Sequence, residues 1–109
     1  MTWPLLTPSQ ALAAYPAGHP LHELARMLAH LAEHPAVADV WLSDPPPDLE
    51  REVWVSVRLR DHAPVRGDLL RFAERVAARF GWRLCEVAHI GWPTDAAAQW
   101  VIIWDPAPA

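Results

Sequence analysis

The chain has 109 residues, 52% of them hydrophobic and 20% charged, which is the balance of one folded domain and excludes a disordered chain. A net charge of −4 gives no bulk attraction to nucleic acid or an anionic membrane. The single cysteine, Cys85, excludes an internal disulfide and a Cys-based zinc site.

Residues 1–20 read as an N-terminal arm. Thr7-Pro8-Ser9-Gln10 has the pattern of a helix start: Thr as N-cap, Pro at the first helical position, Gln three residues after the cap. The short helix it opens spans 8–15 and stops at Pro16. No Asp, Glu, Lys or Arg precedes Glu23, and Pro4, Pro8, Pro16 and Pro20 break any apolar run. The expectation is a cytoplasmic chain without signal peptide or membrane span.

A body of residues 21–105 follows, with a flexible tail at 106–109. Leu21, Leu24, Ala25, Leu28, Leu31 and Ala32 lie on one helical stripe, so a helix is expected from His19 or Pro20 to 34, closed by Pro35. Residues 37–42 read as a strand and Pro45-Pro46-Pro47 as a loop. Residues 52–60 alternate: Val53, Val55, Val57 and Leu59 on one side, Trp54, Ser56, Arg58 and Arg60 on the other. A second helix is expected at 65–80, on the stripe Val65, Leu69, Phe72, Ala73, Val76 and Phe80, with Gly81 suited to the position after it. Residues 82–90 form a third strand, 91–95 a turn region and 99–105 a fourth strand.

The order helix, strand, strand thus occurs twice. The fold class expected is α+β: two α-β-β units forming a four-stranded antiparallel-rich sheet with two helices on one face, a permuted ferredoxin-like arrangement, plus the arm. The strands at 52–60 and 99–105, richest in β-branched residues, belong in the centre, and those at 37–42 and 82–90 at the edges. The α-β-β repeat is too generic to carry a family resemblance.

The chain carries seven tryptophans, and an indole is seldom fully buried because it is large and its N–H needs a partner. With the valines of 52–60 under the helices, Trp54 and Arg58 face away. Ala38, Val40 and Leu42 make the better inward set of the first strand, which turns Val37, Asp39 and Trp41 outward. Val101 and Ile103 inward turn Trp100, Ile102 and Trp104 outward. Cys85 and Val87 inward turn Trp82, Leu84, Glu86 and Ile90 outward. The candidate binding surface is therefore an open sheet face carrying Trp41, Trp54, Arg58, Trp100, Ile102 and Trp104. A patch of that size calls for a cover: a second copy of the chain, another protein or a ligand. The arm, with Trp3, Leu5, Leu6, Leu12 and Tyr15, could also fold across it, and a one-residue register slip would instead bury the rings under the helices.

Other groupings carry weaker chemistry. His30 and His34 lie one turn apart with Glu23 on the same side, but no fourth metal ligand follows in sequence. Arg71, Arg75 and Arg79 form a stripe, with Arg83 beyond, that reads first as a solvated face with Asp68 and Glu74 to pair with it. Rings beside Arg58 and Arg60 suggest an RNA-binding sheet, yet the Gly-aromatic signature of that module is absent. Ser43, Ser56 and Cys85 sit in no nucleophile motif, His89 and Asp95 have no specified geometry, and there is no glycine-rich phosphate loop. The expectation is a non-enzymatic interaction domain without cofactor or metal, pairing with itself or another protein through the tryptophan face. The alternative is a small-ligand binder or modest enzyme with a pocket between arm and sheet. Single-stranded nucleic acid ranks below both.

Overall fold

The computed structural model describes residues 5–43, 52–60, 66–90 and 99–106. Within them the chain is α+β, with three helices and one five-stranded antiparallel sheet. In order these are β1 (Leu5–Leu6), α1 (Pro8–Ala14), α2 (Pro20–Leu31), β2 (Val37–Ser43), β3 (Val53–Leu59), α3 (Arg66–Phe80), β4 (Arg83–Ile90) and β5 (Gln99–Asp105). The sheet order is β1-β2-β3-β5-β4. The two strands expected in the centre, β3 and β5, pair with each other there. The fifth strand was not anticipated: Leu5 and Leu6 pair with Ser43 and Leu42, so β2 is flanked by the arm. Two leucines beside Pro4 give too short a pattern to read as a strand.

Local chemistry sets the helix ends. The Thr7 hydroxyl accepts from the Gln10 N–H at 3.2 Å and the Gln10 side chain accepts from the Thr7 N–H at 3.0 Å, closing the capping box that starts α1. His19 caps α2 through Nδ1, which accepts from the Leu21 N–H at 3.0 Å. That helix ends at Leu31 rather than at 34. The amides of Glu33 and His34 reach back only three residues, to His30 and Leu31, and tighten the last turn before Pro35. Gly81 follows α3 at φ +70°, and the Trp82 N–H returns 3.0 Å to the Ala77 carbonyl, the Schellman ending.

Register decides which side chains face the helices, because residues opposed across antiparallel strands share a face. The inner rows are Val40·Val57·Trp100·His89, Leu42·Val55·Ile102·Val87 and Val53·Trp104·Leu84. Leu24, Ala25 and Leu28 of α2 and Leu69, Phe72, Ala73 and Val76 of α3 bury against them in one core, which Ala11 of α1 also joins. At about 25 cal/mol per Å² of apolar surface, this layer is the main stabilising term.

Three expectations about facing are corrected. On β5 the inward set is Trp100, Ile102 and Trp104, with Ile102 and Trp104 fully buried. Both alternating sets of this strand are apolar, and burying the larger one removes more surface from water. The polar cost of burying Trp104 is met, since its indole N–H donates to the Ala73 carbonyl at 3.0 Å. On β2 a register shift between Val37 and Asp39 turns Val37 inward while Asp39 and Trp41 remain outward. On β4 a shift between Leu84 and Glu86 turns Leu84 inward and leaves Cys85 exposed. Trp82 joins the core margin as well, stacked on Phe80 with centroids 4.5 Å apart.

Candidate functional site

The outer face of the sheet is built from three rows. The middle one is Trp41·Ser56·Val101·Ala88, crossing β2, β3, β5 and β4. On one side of it lies Trp54·Ile103·Glu86, on the other Asp39·Arg58·Gln99. Trp41 faces Ser56, two residues along β3 from Trp54, so the two indoles are diagonal neighbours. Apolar surface thus runs across the two central strands, with a charged group at each end.

Four side chains of this face, Asp39, Arg58, Trp41 and Trp54, have defined partners. Arg58 pairs with the Asp39 carboxylate, and its guanidinium carbon lies 5.9 Å from the centre of the Trp41 ring. The Trp54 indole N–H donates to Glu52 Oε2 at 2.6 Å. Trp41, Trp54 and Ile103 are half-buried and Val101 is buried, so the face is flatter and smaller than six large side chains would make it. Of the six residues expected here, Trp41, Trp54 and Arg58 lie on the outer face. Trp100, Ile102 and Trp104 lie beneath the helices, where Trp100 packs beside His89 with centroids 5.2 Å apart.

The described part of the arm does not cross this face. The α1 helix contributes Ala11 to the helical side of the sheet, Tyr15 stacks on His19, and β1 extends the sheet edge. The hollows lined by described residues lie against α2 and α3. Trp3 lies outside the described residues, as do Pro45-Pro46-Pro47, Val65, the turn at 91–95 with Asp95, and most of the tail.

The remaining candidates are drawn to separate partners. His30 Nδ1 lies 3.7 Å from Glu33, His34 Nε2 lies 3.5 Å from Asp68, and Glu23 lies 3.6 Å from Arg79. Among the described residues no three His, Cys, Asp or Glu side chains group as a metal site. Arg71 pairs with Asp68, Arg83 lies 3.4 Å from Asp105, and Arg60 donates to the Val37 carbonyl at 3.3 Å. No helix among the described residues is long and apolar enough to cross a membrane.

Sequence reading missed a groove between α2 and α3 on the far side of the helix layer. It consists of two adjoining hollows of about 520 and 590 Å³ that share Leu31, His34, Phe72 and Arg75. The signal was the pairing of two stripes noted separately, His30 with His34 and Arg71 with Arg75, which the fold sets on opposite walls. Compared with known proteins, the chain matches no family model, no curated protein and no solved structure.

Proposed function

We propose that this chain is a non-enzymatic interaction domain that pairs with a second copy of itself through the outer face of the sheet. The observation that carries this reading is the asymmetry of the two faces. Three helices contribute to the core on one side, whereas Trp41, Trp54, Val101 and Ile103 on the other have no helix over them among the described residues. The order β2-β3-β5-β4, with α2 and α3 on one face, supports a permuted ferredoxin-like body, a two-layer design whose second face is left for a partner.

The face suits a copy of itself. A two-fold axis along the middle row would set Arg58 of one protomer over Trp54 of the other, a cation on an indole, and bury the apolar rows against each other. Trp and Arg at the centre of a contact are the usual energetic anchors. Because the indoles are half-buried already, each would yield less than the ~150–250 Å² a free ring loses. The expected contact therefore lies at the low end of the stable range, which starts at about 1,200 Å² in total.

Sedimentation velocity across roughly micromolar to 100 µM protein tests this. A monomer–dimer equilibrium is expected, with Trp54→Glu monomeric yet still folded by its cooperative thermal transition. A monomer at every concentration, or a dimer unaffected by Trp54→Glu, overturns the proposal.

A further inference from the structure

We infer that the groove between α2 and α3 binds a small organic carboxylate with an apolar body, a site separate from the sheet face. The floor is apolar: Met27 and Leu31 from α2 and Phe72 from α3 line the first hollow. Acidic, basic and histidine side chains ring it. Asp68 engages both Arg71 and His34, and Glu33 faces His30. Arg75 has no ion-pair or hydrogen-bond partner among the described residues, while the Arg residues one turn before and after it on α3, Arg71 and Arg79, each have one. Glu74 lines only the second hollow, beside Asp68 and Arg71.

Arg75 and His34 line both hollows, together with Leu31 and Phe72. His34 Nδ1 accepts the Ala36 N–H at 3.0 Å, so in the neutral ring the proton sits on Nε2. The junction thus joins a planar cation, which suits a carboxylate's two oxygens, to an apolar floor for the remainder of the molecule. A volume near 520 Å³ falls in the range of small-molecule sites. Asp68, at the far side of His34, disfavours a second negative charge and selects a monoanion over a phosphate or a dicarboxylate.

Titration with octanoate, below its micelle concentration and followed by two-dimensional amide NMR, is the test. Phe72 forms the floor and its ring lies 6.5 Å from that of Trp104, so the Phe72 amide and the Trp104 indole N–H both report on occupancy. The expected result is a saturable shift of both signals, weakened about tenfold or more by Arg75→Gln and when octanol replaces octanoate. Arg75 is exposed, so its substitution leaves the fold in place. No saturable shift, equal binding of octanol, or octanoate binding unchanged in Arg75→Gln overturns the inference. None of these outcomes depends on whether the sheet face dimerises.

Discussion

The indole N–H of Trp104 donates to the carbonyl of Ala73, 3.0 Å away, and so fixes a central strand to the middle of the helix that covers it. The contact is surrounded by rings: Phe72 meets Trp104 edge-on at 6.5 Å and Trp82 lies 6.4 Å away. Trp104 is therefore a structural residue. Trp104→Phe removes the donor and part of the ring, and is expected to cost about 2 kcal/mol; Trp104→Ala leaves a cavity and costs about 3–5 kcal/mol. Urea unfolding of the two variants checks both the order and the size. If Trp104→Phe matched the unsubstituted protein, the bond would contribute nothing to holding β5 against α3.

The same residue shows where sequence reading stops. The α2 and α3 helices, the valine side of β3 and the central pair β3 and β5 were legible because each follows from a one-sided pattern. In β3 the choice between Val53, Val55, Val57 and the set Trp54, Ser56, Arg58 is forced by polarity. In β5 it is not: Trp100, Ile102 and Trp104 compete with Val101 and Ile103, and both sets are apolar. Three-dimensional context decided it, through a helix carbonyl within reach of one indole. The shifts at Val37/Asp39 and Leu84/Glu86 were illegible for a related reason, since an extra residue in a strand inverts the faces beyond it without leaving a mark in the alternation. The outer half of the candidate site, Trp41, Trp54 and Arg58, was legible because Asp39 and Arg58 are charged and must face away from the core.

Gly81 gives a sharper local test. Its φ of +70° lies in the left-handed region, and a Cβ built there meets nothing within 4 Å. Any cost of substitution is then backbone strain alone. Gly81→Ala is expected to lower stability by about 1–2 kcal/mol, and Gly81→Asn by less, because Asn tolerates this conformation better. Thermal unfolding distinguishes the two. Equal losses for both would point to a cause other than backbone conformation, for example a disturbed Trp82 N–H to Ala77 bond.

The ion pair of Arg58 with Asp39 separates stability from association. Both side chains are more than a third exposed, so within one protomer water screens the pair, and its coupling is expected below about 1 kcal/mol. Burial of the same face in a dimer removes that screening and places Arg58 beside a partner's indole. Arg58→Ala then leaves Asp39 without its cation under the contact, which costs about 2 kcal/mol or more of association, roughly thirtyfold in the dimer constant. Arg58→Lys keeps the charge but loses the planar stack on Trp41 and is expected to fall in between. Sedimentation equilibrium and urea unfolding of the same variants measure the two quantities separately. A loss of stability equal to the loss of association, or a dimer indifferent to both substitutions, would place Arg58 outside the contact and leave its stacking on Trp41 as a surface arrangement only.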